Sequence, residues 1–296
     1  MKRRAFLKFA ALAAVLNPIE TLAAVPHIRF TKVENRHSQL KVHPLELPDT
    51  SLVVMEDQSI KDYLTKIRHP NNLHKNDIIL DLEHFQLLWS VVEKMGKIQA
   101  TVGHGNFAVL GFDDALLTAR QYVQIGRFTR HELDFLEMVY YRDAKEYGFN
   151  GEKVIAALNQ TIGKKDVYKV PYTGHHLFRG ESLGKYEKVR RDLGEELVLT
   201  SGIRGIIKQF YLFLDKACRH GGNLSLASRS LAPPGYSFHA TGDFDVGQKG
   251  LGNDNFSEKF TSTIVFRRLE KKGFVECRYK RDNMLGVRYE PWHVKL

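Results

Sequence analysis

The spacing of apolar residues changes near residue 165. Before it, apolar side chains recur at the three- and four-residue spacing of an amphipathic helix, most clearly between residues 77 and 97. Thr129 and Glu132 have the spacing of a capping box, which predicts the start of another helix. Residues 56–165 are therefore predicted to be mainly α-helical.

After residue 165 the apolar runs become shorter and more varied. Two of them keep the helical period, and four are short runs typical of strands. Helices are predicted at residues 204–219 and 255–272, and strands at 196–200, 274–279 and 285–289. Residues 237–246 are predicted to form two short strands joined at Thr241-Gly242. The mixture predicts an α+β fold in which a small antiparallel sheet flanked by helices, in residues 166–296, follows the helical segment.

The first 24 residues have the pattern of an export signal. Lys2, Arg3, Arg4 and Lys8 precede an apolar run that is too short to cross a bilayer, and small residues follow at positions 23 and 24. Two arginines, one residue and then Phe-Leu-Lys resemble the twin-arginine signal. We therefore expect export to the periplasm, removal of residues 1–24 and no stable membrane span afterwards. Residues 25–55, with three prolines, are predicted to be an extended lead-in.

Composition and charge narrow the classes of protein. The 296 residues are 43% hydrophobic and 26% charged, which is typical of a globular chain and not of a disordered or polytopic membrane protein. Two cysteines exclude a disulfide scaffold, although Cys218 and Cys277 could pair in the periplasm or remain thiols. The net charge is +10, of which the signal carries +3 and residues 166–296 carry +7. Together with the signal, this predicts an anionic wall polymer as partner and no nucleic acid.

Histidines next to carboxylates are the candidate chemistry. His239 is followed by Asp243 and Asp245, and His293 is preceded by Glu290. A catalytic zinc site needs three protein ligands and an open position, and a further carboxylate must take the proton of the attacking water. His239, one of the two aspartates, His293 and Glu290 supply such a set. Each cluster alone is weak evidence, since a Glu-x-x-His spacing usually lies on a solvated face.

Three segments together resemble VanY-type D-alanyl-D-alanine carboxypeptidases, zinc metallopeptidases of the group that includes lysostaphin and hedgehog. The segment Leu231-Ala-Pro-Pro-Gly-Tyr-Ser-Phe-His-Ala-Thr-Gly242 is similar to the family motif Ser-x-His-x-x-Gly-x-Ala-x-Asp and the Pro-Gly loop before it. Glu290-Pro-Trp-His293 and Ser201-Gly-Ile-Arg204 resemble two further family motifs, in the family's order. The resemblance covers residues 170–296 and is absent from 25–165.

One position departs from the family pattern. The family aspartate lies seven residues after the histidine, where this chain has Val246, which cannot bind a metal. A one-residue deletion after Gly242 makes Asp245 the ligand, and we favour it over Asp243.

The resemblance implies a role for each candidate residue. Zinc would be held by His239, Asp245 and His293, with Glu290 as the proton acceptor. Arg204 would bind the carbonyl oxygen or the terminal carboxylate of the substrate. Ser237 and Trp292 are candidates for substrate contact, although Ser237 could merely order its loop and Trp292 could equally belong to the core.

The expected function is an exported zinc-dependent peptidoglycan peptidase. The reaction implied is that of a D,D-carboxypeptidase, which removes the terminal D-alanine of a stem peptide. The alternatives are an endopeptidase that cuts wall cross-links, or an inert zinc fold that binds the wall or a partner protein. The sequence identifies no protein partner and leaves the role of residues 56–165 open.

Overall fold

The computed structural model describes residues 60–274 and 277–296, and all of them belong to one compact unit. The predicted signal at 1–24 and lead-in at 25–55 lie outside the described residues. No helix in the described part of the chain combines the length and apolar character needed to cross a membrane.

The first part of the described chain is helical, as predicted. Asp81 caps the longest helix by accepting a hydrogen bond from the backbone N–H of His84. The capping box of Thr129 and Glu132 is formed in both directions and starts the fifth helix. The helices are α1 (Ile60–Arg68), α2 (Leu82–Val102), α3 (His104–Ala108), α4 (Phe112–Gln121) and α5 (Arg130–Tyr141).

The second part mixes helices with short strands, which confirms the α+β class. The helices are α6 (Glu181–Leu193), α7 (Ile206–Arg219), α8 (Leu224–Ser228) and α9 (Ile264–Lys271). The strands are β1 (Val167–Lys169), β2 (His176–Phe178), β3 (Leu197–Ser201), β4 (Phe244–Gln248) and β5 (His293–Val294). β1 and β2 form an antiparallel hairpin, and β3, β4 and β5 form a second antiparallel sheet with β4 in the centre.

The central sheet packs its apolar face against α6 and α9. Phe244 and Val246 of β4 alternate with Asp245, so the two apolar side chains enter the core while the aspartate points to the opposite face. Phe260, Val265 and other buried residues of the α9 region complete this core. The pleat of β4 therefore directs the Asp245 side chain towards the site, while the neighbouring Phe244 and Val246 hold the strand in the core.

Helix α7 connects the sheet region to the helical region. It packs against α2, and the ring of its Phe210 contacts the rings of Phe112 and Tyr140. Phe213 makes a similar contact with Tyr147. The apolar core thus continues across residue 165, where the apolar spacing in the sequence changes.

The helix predicted at 255–272 is wrong in its first half. Two 3₁₀ turns, Gly252–Phe256 and Glu258–Ser262, precede α9. The side chains of Ser257 and Thr263 accept hydrogen bonds from the N–H groups of Lys259 and Phe266. These hydroxyl caps begin a new turn twice, so the backbone does not form one continuous helix.

Three segments predicted to form strands also differ. The segment 237–246 forms a 3₁₀ turn, Phe238–Ala240, before β4 begins. The described residues of 274–279 contribute only one isolated bridge, between Cys277 and Val294. No strand forms at 285–289. There, Gly286 has φ of 88° beside the Gly148 backbone, a conformation incompatible with extended pairing.

Candidate metal centre

Two of the candidate ligands are brought together by strand register. Asp245 on β4 pairs directly with His293 on β5. His239 lies in the turn just before β4, and its ring contacts that of His293 edge-on, with centroids 4.9 Å apart. Residues 54 positions apart in the chain therefore meet because the last strand returns antiparallel to β4.

His239 is fixed by a backbone acceptor. Its Nδ1 is 2.8 Å from the carbonyl oxygen of Gly202, so that nitrogen carries the proton and Nε2 keeps its lone pair. Nε2 lies 3.3 Å from Oδ1 of Asp245. Burial, and next the charge of Arg204, lower the pKa of His239 to about 4, which keeps the imidazole neutral.

Asp245 divides its two oxygens between different partners. Oδ2 accepts a hydrogen bond of 2.5 Å from Nη2 of Arg204, while Oδ1 lies 3.1 Å from Nδ1 of His293. Burial alone would raise the pKa of Asp245, but the charge of Arg204 holds it well below its usual range. The carboxylate is thus ionised, with one oxygen anchored and the other directed towards the histidines.

These three side chains fit a metal ion. One donor atom from each of His239, Asp245 and His293 lies within 4.8 Å of the others, and all three residues are buried. Nε2 of His239 and Oδ1 of Asp245 make no hydrogen bond within the described residues. Buried polar atoms without partners are costly, and a cation bound between them would remove that cost.

Asp243, the other candidate ligand, lies on the far edge of the His293 ring. Its Oδ2 is 2.8 Å from Nε2 of His293, and its Oδ1 accepts the N–H of Leu296. Asp243 is not part of the three-donor group. Burial would lower the pKa of His293, but the negative charges of Asp243 and Asp245, which face its two ring nitrogens, raise it to about 9.

Glu290 lies next to the three donors without joining them. Its Oε2 is 4.0 Å from Nδ1 of His293, and its Oε1 is 3.9 Å from Nε of Arg288. Within the described residues its carboxylate accepts no hydrogen bond. Burial raises the pKa of Glu290 to about 7, although Arg288 and His293 act in the opposite direction.

A small cleft opens beside the site. Arg204, Ser237 and Glu290, all candidates from the sequence, contribute to its walls together with His239 and His293. Arg204 donates hydrogen bonds from Nε to the hydroxyl of Ser201 and from Nη2 to Asp245. Its Nη1 makes no hydrogen bond within the described residues.

Trp292 does not line this cleft. Its side chain is 2% exposed and belongs to the core under the sheet, where it meets the ring of Phe256. The reason is the strand alternation: when His293 points into the site, its neighbour must point into the core. The structure therefore does not support the substrate contact that we expected for Trp292.

Two residues of the site, Tyr279 and Arg278, were not anticipated from sequence. Tyr279 lines the cleft, with its ring 5.1 Å from that of His293, and Arg278 contacts Asp243. Neither stands in a recognisable motif. Gln209 connects the segment of Arg204 with the loop before His239. Its side-chain amide donates a hydrogen bond to the carbonyl oxygen of Arg204 and accepts one from the N–H of Gly235. Cys218 and Cys277 are both free thiols, so no disulfide joins them.

The comparisons with known proteins concern the part of the chain that holds this site. Residues 181–296 match the family model VanY, described as D-alanyl-D-alanine carboxypeptidase. The match begins with α6 and ends after β5, so it includes every candidate ligand. A search of the curated proteins found no significant match.

Similar solved structures include one called the LdcB LD-carboxypeptidase, with 21% identity and a TM-score of 0.36. That match covers 43% of this chain and 62% of the other, so this chain spans less than two thirds of its length. A variant of the D,D-pentapeptidase VanY from a VanB-type resistance cassette, in complex with Zn(II), has 24% identity and a TM-score of 0.34, covering 44% and 76%. VanYB in complex with D-alanine-D-alanine has the same identity and TM-score, covering 44% and 75%.

Proposed function

We propose that this chain is an exported zinc-dependent peptidoglycan peptidase, acting as a D,D-carboxypeptidase on stem peptides. The observation that carries the proposal is the meeting of His239, Asp245 and His293, with both histidines in the cleft that Glu290 and Arg204 also line. The family match of residues 181–296 supports this choice of reaction.

Zinc is the metal that the donor set favours. Two imidazoles and one carboxylate are a common catalytic zinc set, and they leave a position open. His239 would bind through Nε2, Asp245 through Oδ1 and His293 through Nδ1, since these atoms face one another. Bound zinc supplies Lewis-acid chemistry, which polarises a carbonyl and makes a water molecule more acidic.

Glu290 is the group that we assign to proton transfer. Its carboxylate borders the cleft, lies outside the three donors and has no competing hydrogen-bond donor among the described residues. As water adds to the scissile carbonyl, Glu290 takes the proton of the water. The C–N bond then breaks, and the proton passes to the amine of the departing D-alanine.

Arg204 and Ser237 are assigned to substrate binding. The Nη1 group of Arg204 is uncommitted in the described structure, and a guanidinium suits the terminal carboxylate or the developing oxyanion. Ser237 lines the same cleft and provides a hydroxyl. The charge of +7 on residues 166–296 favours approach of an anionic polymer.

Export to the periplasm rests on residues 1–24 alone. We expect the signal to carry a folded reporter protein out of the cytoplasm. Replacing Arg3 and Arg4 together by lysine should retain the reporter inside, whereas replacing Lys8 by arginine should not. A reporter that is exported equally well with both arginines replaced would overturn the twin-arginine assignment.

The activity is tested on a pentapeptide ending in D-Ala-D-Ala. We expect zinc in the purified chain and release of D-alanine that stops on chelation and returns with zinc. Glu290→Ala should abolish release while zinc stays bound, and Glu187→Ala, on the exposed side of α6, should behave like the wild type.

The other outcomes separate the alternative functions. Cleavage of cross-linked wall without release of D-alanine from the pentapeptide would identify an endopeptidase. Full zinc occupancy without cleavage of either substrate would overturn the enzyme and favour an inert, wall-binding zinc fold.

A further inference from the structure

The carboxylate of Asp243 is hydrogen-bonded to the edge of the His293 ring that faces away from Asp245. Oδ2 of Asp243 is 2.8 Å from Nε2 of the ring, and Nδ1 on the opposite edge is 3.1 Å from Oδ1 of Asp245. The Asp243 side chain is 1% exposed, and Asp243 is not among the residues that line the cleft. It therefore acts on the histidine from inside the protein.

Asp243 is itself held from two other directions. Arg278 donates from Nε at 2.6 Å and from Nη2 at 3.2 Å, a two-pronged contact with the carboxylate. The backbone N–H of Leu296 donates to Oδ1 at 3.1 Å. Both oxygens of Asp243 are thus committed, which leaves no rotation that would bring either of them to the three-donor group.

The same arginine also touches the segment of the other histidine. The guanidinium of Arg278 lies 3.7 Å above the ring of Phe238, the residue before His239. The N–H of Asp243 is bonded to the carbonyl of Phe238 at 3.3 Å. Asp243 and Arg278 therefore form a link between the backbone that carries His239 and the ring of His293.

We propose that Asp243, clamped by Arg278, is a positioning residue that holds the proton of His293 on Nε2 and presents Nδ1 to the metal. This inference rests on the proposed zinc centre and concerns how the chain builds it. A carboxylate on the outer nitrogen of a ligand histidine fixes the tautomer and orientation of the ring and makes the ring a better donor.

The test measures zinc affinity rather than catalysis. Zinc dissociation constants of the full chain are determined by competition with a chromophoric chelator for the wild type, Asp243→Asn and Asp243→Ala. Loss of such a partner weakens metal binding by about 10- to 100-fold. We expect about 10-fold for Asn, whose amide oxygen still accepts a hydrogen bond, and nearer 100-fold for Ala.

Two comparisons exclude a general loss of structure. Asp254→Asn removes an exposed carboxylate that pairs with Lys259 and should leave zinc affinity unchanged. Arg278→Gln keeps Asp243 but removes the clamp, so its zinc affinity should lie between those of the wild type and Asp243→Ala. The visible absorption of bound cobalt(II) should change in Asp243→Asn, because the spectrum reports ligand geometry.

The outcomes distinguish this inference from the proposed function. If both Asp243 variants fold and bind zinc within twofold of the wild type, the inference fails even where D-alanine release stands. If the wild type binds zinc without hydrolysing any peptide and the Asp243 variants bind it more weakly, the inference holds and the proposed function fails. A wild-type chain that binds no zinc overturns both.

Discussion

Two buried glutamates mark the contrast between the helical region and the sheet region. Glu132, at the start of α5, is 2% exposed, and Glu290, before β5, is 8% exposed. Glu132 accepts hydrogen bonds from Nζ of Lys94 at 2.6 Å, from Ser90 at 2.5 Å and from the N–H of Thr129 at 2.6 Å. Glu290 accepts none within the described residues, and Arg288, at 3.9 Å, is its nearest cation.

The pKa values follow these surroundings. Burial would raise the pKa of both carboxyls, but Lys94, Ser90 and Thr129 reverse the effect for Glu132 and lower its pKa. For Glu290 burial prevails and the pKa rises to about 7. Burial alone therefore does not indicate function in this protein. A better indication of function is a buried carboxylate that has no hydrogen-bond donor and borders a cleft.

The strongest test of this contrast is Glu290→Gln. We expect the rate of D-alanine release at pH 7 to fall by about 10²- to 10⁴-fold, since the amide cannot accept the proton. The free energy of unfolding should not fall, because no hydrogen bond of a described residue is lost. Steady-state rates and urea unfolding check both expectations. A variant that keeps wild-type turnover would remove Glu290 from the mechanism.

A second test compares two buried aspartates. Asp245→Ala removes one of the three metal donors. It should weaken zinc binding by on the order of 1000-fold, because each ligand supplies a large part of the free energy of zinc binding. Asp77→Asn, between Arg229 and Asn223 in the helical region, should leave zinc affinity unchanged. Chelator competition measures both variants. If Asp245→Ala retained zinc and Asp243→Ala lost it, the ligand assignment would be reversed.

The converse change in the helical region is Glu132→Ala. It removes the carboxylate partner of the half-buried Lys94 and half of the capping box, so the free energy of unfolding should fall by about 3 kcal/mol. Zinc affinity and turnover at 25 °C should be unchanged. Asp134→Ala, whose side chain is 50% exposed, is the control and should change stability by less than about 0.5 kcal/mol. A loss of zinc in Glu132→Ala would contradict the separation of roles.

The smallest expected effect concerns Lys208, which joins α7 to α2 through Gln99. Burial, with a further contribution from Arg204, lowers the pKa of Lys208 from its usual 10.5 to about 8. Below pH 8 the buried charge destabilises the folded chain, and this cost disappears as the pH rises from 8 to 10.5. The stability of the wild type relative to Lys208→Met should therefore rise over this range, by on the order of 2 kcal/mol. Urea unfolding at pH 7 and pH 10 measures it, and a constant difference would show that Lys208 does not titrate there.

Sequence patterns correctly predicted those helices that depend on interactions between residues close together in the chain. The capping box at Thr129 and the helical period before Arg219 depend on residues within a few positions, and both are formed. The helix predicted at 255–272 failed because Ser257 and Thr263 cap new turns inside an apolar pattern that still fits a helix. Periodicity reports which side is buried, but it does not show where hydroxyl groups interrupt the backbone.

The residues of the candidate site were also predicted only in part. Motif order pointed to His239, His293, Glu290 and Arg204, and the structure brings them to one cleft. Sequence could not choose firmly between Asp243 and Asp245, because both follow His239 at short range. The pleat of β4 separates them: Asp245 pairs with His293 across the strands, whereas Asp243 precedes the strand and reaches the other edge of the ring.

The sequence by itself determined the kinds of donor, the α+β class and the distribution of charge, since these follow from residue identity and local spacing. The tertiary structure decided which oxygen faces which nitrogen, that Trp292 belongs to the core, and that Arg278 clamps Asp243. The physical reason is that strand register and long-range packing set side-chain direction. A carboxylate held by three donors and a carboxylate left without any look the same in a sequence, and only the fold distinguishes Glu132 from Glu290.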